Sequence, residues 1–166
     1  MKTKTAAILG AVALSASCAT LRDIVQAPRF SVAPGRQATL RLIGPSLQNP
    51  LGGAAVRIWA QVENPNAFGF TLAGLTGNFF LEDTRAANVD LPLGLQLVAN
   101  QTTVIPLDIT IGFNEIPGLV DVATRLLTRS SVGYRLDGTI TVDAGTLGRP
   151  SFGPNTLLRG DIVVQR

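Results

Sequence analysis

The stretch that most constrains this chain runs from Ala54 to Leu81 and reads AAVRIWAQVE, NPNAFG, FTLAGLTGNFFL. In its first part Val56, Ile58, Ala60 and Val62 alternate with Arg57, Trp59, Gln61 and Glu63. A period of two with one apolar face marks a half-buried strand. Asn64-Pro65-Asn66 then breaks the pattern, because proline lacks an N–H and asparagine tolerates turn conformations. Phe68, Phe70, Leu72 and Leu75 begin the return. The expectation is a β-protein organised around a central hairpin, with its turn at the Asn-Pro-Asn step.

Composition fits many short strands joined by turns. The chain has 166 residues, 46% hydrophobic and 15% charged, with 17 glycines and 10 prolines. That length suffices for one domain with a proper core. The formal charge of +3 looks basic, yet both lysines, Lys2 and Lys4, lie at the start, and the remaining twelve arginines face eleven acids. Those arginines are scattered, whereas a nucleic-acid footprint needs clustered positive charge. No nucleic-acid partner is therefore expected. The chain has no histidine and one cysteine, Cys18. A Ser-His or Cys-His pair, a His/Cys zinc site and an internal disulfide are thus all excluded. No catalytic residue, cofactor or metal is expected.

The segment MKTKTAAILGAVALSASC carries two lysines, an apolar run from Ala6 to Leu14, small residues and then cysteine. That is the layout of a secretory signal. The run is much shorter than the roughly 20 residues of a membrane-spanning helix. Leu14-Ser15-Ala16-Ser17-Cys18 resembles the bacterial lipoprotein signal, although Leu14 lies four residues before the cysteine and Ser15 occupies the preferred leucine site. The resemblance implies a lipid attached to Cys18, and Ala19 after it resembles lipoproteins sent to an outer membrane. Each buried methylene contributes about 0.8 kcal/mol, so two or more chains hold stably. The alternative is ordinary cleavage that leaves a secreted protein with a free thiol. The expected division is a signal over 1–17, a tether over 18–27 and a domain over 28–166.

Along the domain, Pro28 to Val32 reads as an edge strand and Gln37 to Ile43 as a second strand. Gly44 to Gly53, with two prolines and three glycines, reads as loop. Glu82-Asp83-Thr84-Arg85 is a polar break, and adjacent acids in a strand do not face each other. Leu91, Leu93, Leu95 and Leu97 form an alternating stripe with Pro92 and Gly94 on the other face, which suits an edge strand. Val104 to Phe113 places Ile105, Leu107, Ile109, Ile111 and Phe113 inward. Over 114–129 the period changes. Ile116, Leu119, Val120, Ala123 and Leu127 recur at helical steps, Asn114 can cap, and Arg125 and Arg129 complement the dipole. From Val132 to Asp143 period two returns, and Gly138 inside it signals a bulge or a close backbone approach. Gly145 to Asn155 reads as loop, and Thr156 to Val164 as the last strand. Asp137, Asp143 and Asp161 are weighed as a calcium site and set aside, because the first two lie about 20 Å apart along one strand. The sum is a mainly β fold, an antiparallel sandwich of immunoglobulin or fibronectin-III type with seven to eight strands and one helix near 114–129.

A strand ending Val62-Glu63-Asn64-Pro65-Asn66, followed by Leu72-Ala73-Gly74, is similar to the late embryogenesis abundant type 2 proteins and their water-stress-and-hypersensitive-response (WHy) domain. Ile105-Pro106-Leu107, the helix and Tyr134-Arg135-Leu136-Asp137-Gly138 follow in that family's order, over about 28–165. The resemblance implies a folded β-sandwich with a link to desiccation stress and protection of other proteins. It brings no catalytic residues. Asn64, Pro65, Asn66 and Gly74 carry the motif.

These features point to a non-enzymatic exported lipoprotein, held to a membrane through Cys18, with client or envelope proteins as partners. Its expected place is the periplasmic face of an outer membrane. A second reading is an adaptor that docks a protein by the Leu91–Val98 strand edge. Trp59, on the outer face, is either packed under a loop or a contact residue. A carbohydrate-binding sandwich is thinly supported by one tryptophan and one tyrosine. A hydrolase would need two carboxyl groups about 5–9.5 Å apart in a cleft.

Overall fold

The computed structural model describes residues 24–47, 49–114, 118–126 and 128–165. Among them lie eight strands: β1 (Arg29–Val32), β2 (Ala38–Ile43), β3 (Gly53–Glu63), β4 (Phe70–Leu81), β5 (Thr84–Leu97), β6 (Thr102–Gly112), β7 (Ser131–Asp143) and β8 (Ser151–Gln165). A short helix, α1 (Leu119–Leu126), stands between β6 and β7, and a 3-10 turn over Gly145–Leu147 between β7 and β8. The helix occupies the middle of the expected 114–129 span. Val122, which the helical pattern did not count, is buried there, while Asp121 and Thr124 face solvent. Residues 115–117 and 127 of that span fall outside the described residues.

All eight strands join in one mixed sheet. β3 is its axis on one side. β6 pairs along its whole length, from Gly53↔Gly112 to Glu63↔Thr102. On the other edge β2 covers Gly53 to Arg57 and β1 covers Ala60 to Glu63. β2 continues in parallel onto β8, through Ala38↔Ile162 to Arg41↔Gln165. From there the order runs β8, β7, β4, β5, all antiparallel. The parallel β2–β8 pair was not expected, and it makes one ladder of what the sequence suggested as two stacked sheets.

The central hairpin is corrected. β3 and β4 are each flanked by other strands, β3 by β1, β2 and β6, and β4 by β5 and β7, and they share no ladder. The chain between them crosses from one half of the sheet to the other. Adjacency in sequence and a turn-like spacer suggested pairing. The spacer is instead held by side-chain bonds to the β5–β6 connection, as described below. Two other boundaries also move. β5 begins at Thr84, so Ala86, Ala87 and Val89 are buried strand residues. β8 begins at Ser151 inside the expected loop. Pro154 is tolerated there because β2 covers β8 only from Ile162 to Gln165, so the other edge needs no N–H at that position.

Within strands the alternation is as read. Val56, Ile58, Ala60 and Val62 are buried, as are Ile105, Leu107, Ile109, Ile111 and Phe113, and Val132, Tyr134, Leu136, Ile140 and Val142. They form a single apolar cluster with Leu40, Leu72, Leu75, Phe79 and Leu97. Burial of such side chains contributes roughly 1.5–3 kcal/mol each.

The expected close approach at Gly138 is real and has a partner. Gly138 stands opposite Gly77 on β4. A Cβ added to Gly77 would lie 2.1 Å from the Asp137 carbonyl oxygen, and one on Gly138 would lie 2.6 Å from that of Thr76. Backbone contacts that tight leave room for hydrogen alone. A register shift between Gly138 and Ile140 in the β7–β8 ladder places a bulge at the same point. Gly77→Ala should therefore force β4 from β7 and destabilise the fold by about 3 kcal/mol, read as a lowered urea midpoint. An unchanged midpoint would refute this account of the contact.

Candidate functional site

Asn64 and Asn66, the two asparagines of the Asn-Pro-Asn step, are buried, and apart from the Tyr134 hydroxyl they are the only polar side chains buried among the described residues. A buried amide is stable only when its donors and acceptors are matched. Asn64 Nδ2 donates to the carbonyls of Phe68 (2.9 Å), Val98 (3.1 Å) and Leu97 (3.3 Å). Its Oδ1 accepts from the Asn66 backbone N–H (2.9 Å) and from Asn66 Nδ2 (3.0 Å). Backbone bonds reinforce the join, with Asn64 N–H donating to the Gln101 carbonyl and Asn100 N–H to that of Asn66. Two connections that cross between the halves of the sheet, 64–69 and 98–101, are thereby stapled at one pole of the molecule.

Asn66 extends the staple to the incoming chain. Its Oδ1 accepts the Gln26 N–H at 2.8 Å and its Nδ2 donates to the Gln26 carbonyl at 2.9 Å. Val25 beside it is fully buried. Part of the segment read as tether is thus packed on the domain. Gln26 is the partner that sequence reasoning missed, because nothing in a local pattern links positions 40 residues apart.

The remaining residues singled out from sequence are dispersed. Pro65 lies in the turn between the asparagines. Gly74 sits on β4 beside a register shift, opposite Pro92 and Thr141, where a Cβ would come within 3.2 Å of the Leu91 carbonyl. Trp59 is half-buried on the outer face of β3, with the Arg36 guanidinium 4.1 Å from its ring centre. The Ala33 N–H donates to its carbonyl, so the 33–37 loop lies against it. Cys18 falls outside the described residues. Asp137 accepts from Arg135 and Thr156, and Asp143 from the Gly145 N–H, with Arg149 alongside. Among the described residues no three His, Cys, Asp or Glu side chains gather as metal ligands.

The opposite pole concentrates charge. Glu82 and Asp83 form a two-residue turn with φ of 46° and 64°, the left-handed geometry that matches strand twist. Non-glycine residues adopt it at a cost, and here the neighbours hold it. Glu82 accepts from Arg125 in the last turn of α1 and from Arg129 just beyond it, and Asp83 accepts from Arg135. The helix arginines, read from sequence as dipole partners, thus clasp the hairpin tip. Around them runs an open groove of about 400 Å³, lined by Glu82, Asp83, Arg135, Arg159 and Asp161 over Gly133. Its two turn acids are committed to arginines, and the groove is mixed in charge. A second open groove, of about 620 Å³, lies at the asparagine pole between Phe70, Leu97 and Ala144. On the β3–β6 face Arg57 meets Asp108 through two hydrogen bonds of 2.6 and 2.9 Å. That bonding holds the Asp108 carboxyl below its ordinary range.

Tyr134 is buried against Phe79 and over Gly160, where an added Cβ would touch its ring at 3.1 Å. Its hydroxyl has no protein partner among the described residues. Burial first, and then the negative charge of Asp161, push its pKa up from 10.0 to about 12. The folded state therefore holds this proton more tightly than the unfolded chain. The associated stability is full below pH 10 and is lost as pH rises towards 12. Tyr134 is the one tyrosine of the chain, so phenolate absorbance reports it alone. Ionisation should appear only near pH 12, with the urea midpoint falling between pH 10 and 12; a normal titration at pH 10 would contradict this burial.

Removing the staple should be costly. Asn64→Ala leaves the buried Leu97 carbonyl, the part-buried carbonyls of Phe68 and Val98 and the buried Asn66 N–H without this partner, and is expected to destabilise by about 3 kcal/mol in urea unfolding. Proteolysis of the variant should open first in 64–69 and 98–101; loss confined to the distal pole would count against the staple.

No curated protein matches the chain. A solution structure of a protein from Arabidopsis thaliana aligns with a TM-score of 0.56 at 14% identity, covering 87% of this chain and 89% of its own. A solution structure described as that of a late embryogenesis abundant protein aligns at 0.49 and 17% identity, over 82% and 71% respectively. A crystal structure of a protein from Archaeoglobus fulgidus aligns at 0.45 and 11%, over 79% and 98%. The first of these supports the fold. The model of the late embryogenesis abundant protein family, type 2, matches residues 60–155 and so takes in the asparagine staple, β4 to β7 and the glycine contact. This chain belongs to the late embryogenesis abundant type 2 family.

Proposed function

We propose that this protein is an exported lipoprotein whose WHy-like domain is a non-enzymatic, stress-protective module at the cell envelope, with proteins as its clients. The observation that carries this reading is the family match over residues 60–155, a family associated with stress. The address is carried by the sequence MKTKTAAILGAVALSASC, which suits export followed by acylation of Cys18. In a host with two membranes, Ala19 favours the periplasmic face of the outer one. We read the fold as sandwich-like, of immunoglobulin or fibronectin-III type, with β6, β3, β1 and β2 facing β8, β7, β4 and β5. The support is that buried residues from both halves line one apolar cluster.

A second reading, an adaptor that captures a partner strand, is favoured by one observation. Among the described residues β5 pairs with β4 alone and ends the strand order, which leaves its other edge without a strand there. Pro92 and Gly94, the latter at φ 57°, interrupt that edge in its second half. Strand addition would therefore use Thr84 to Asp90 rather than the leucine-rich part.

Two measurements test the main reading. Cells grown with labelled fatty acid should label the wild-type protein and not Cys18→Ser; equal label would remove the anchor. The purified protein should preserve a labile enzyme through drying better than an equal mass of albumin, and parity with albumin would remove the protective role.

A further inference from the structure

The two poles of the molecule differ in charge, and the chain enters at the neutral one. No ionisable residue occurs from Asn64 to Leu81 or from Leu91 to Leu107. Both connections joined by the staple are therefore uncharged. Two ion pairs, Arg29 with Glu63 and Asp143 with Arg149, border this pole and each is self-neutralised. Two aliphatic side chains are exposed here, Val98 at 55% and, two residues before the stapled Gln26, Ile24 at 54%. The opposite pole carries Glu82, Asp83, Arg125, Arg129, Arg135, Arg159 and Asp161. Ionised groups are expensive to move out of water, whereas a neutral apolar rim is not.

Gln26 is fixed to this neutral pole through Asn66. Eight Cα steps separate it from Cys18, a reach of at most about 29 Å at 3.3–3.6 Å per residue. β3, with 11 residues, carries the fold about 34 Å from this pole to the other. We infer that the uncharged pole, with Val98 and Ile24 at its rim, is the face that rests on the lipid surface, while the charged pole points into the aqueous space. This inference rests on the lipoprotein reading above and adds the orientation. It also bears on a second exposed apolar pair, Leu47 and Leu51 in the β2–β3 loop. Leu47 is wholly exposed and Leu51 is 57% exposed, and the loop is held by Ser46 and Asn49 at the charged pole. In this orientation those leucines face away from the membrane.

The test uses the full chain, processed in cells and reconstituted into vesicles of phosphatidylethanolamine and phosphatidylglycerol. Single cysteines are introduced by Val98→Cys, Leu47→Cys or Asp83→Cys, all at exposed positions, and labelled with a fluorophore. A nitroxide-headgroup lipid supplies the quencher. Quenching should be several-fold stronger at position 98 than at 47 or 83. Equal quenching at the three positions, or the strongest at 47, overturns the orientation while leaving the anchor in place. If the protein without added cysteines takes up the dye, Cys18 is a free thiol; the anchor reading then falls, and the orientation with it.

Discussion

The fold depends on two buried amides doing the work that a hairpin ladder would otherwise do. β3 and β4 are consecutive yet belong to different halves of the sheet, so the chain between them makes no strand pairing. Asn64 replaces that pairing with side-chain bonds to Phe68, Leu97 and Val98. Hydrogen bonds in a low-dielectric interior are strong when complete and costly when broken. Asparagine suits the site because its amide both donates and accepts, and Pro65 between the two holds the turn with its fixed φ.

The two poles follow different logics. At one, neutral amides and carbonyls hold crossing loops and the incoming segment. At the other, arginines from α1 and β7 hold the left-handed Glu82-Asp83 turn. Exposed ion pairs contribute little each, typically below about 1 kcal/mol. Their role at that turn is geometric, since they set the direction of two carboxylates whose backbone is unfavourable. Between the poles the Gly77–Gly138 contact brings β4 and β7 closer than side chains permit, and the bulge after it bends β8.

Much of the fold was legible in the sequence, for a simple reason. Period-two alternation encodes which face of a strand is buried, and Val56 to Val62, Ile105 to Phe113 and Val132 to Val142 all follow it. Gly138 was readable because glycine inside a strand has few other uses. What sequence does not encode locally is which strand lies next to which. The supposed hairpin between β3 and β4 failed on that account, and the parallel β2–β8 pair was missed for the same reason. The start of β8 was hidden because Gly153 and Pro154 read as loop, although an open edge tolerates them. At the candidate site the motif asparagines were visible, but Gln26, their partner 40 residues away, was not. Trp59 was placed on the correct face; that Arg36 would cover it was not legible.

The pairing of β2 with β8 has a consequence for how the molecule comes into being. Ala38 to Arg41 find their neighbour only in Ile162 to Gln165, more than a hundred positions downstream. A nascent polypeptide cannot close that ladder until both segments have emerged. High contact order of this kind slows folding and leaves early strands waiting with open edges. Such a topology postpones closure of the sheet until β8 has been made, long after β2.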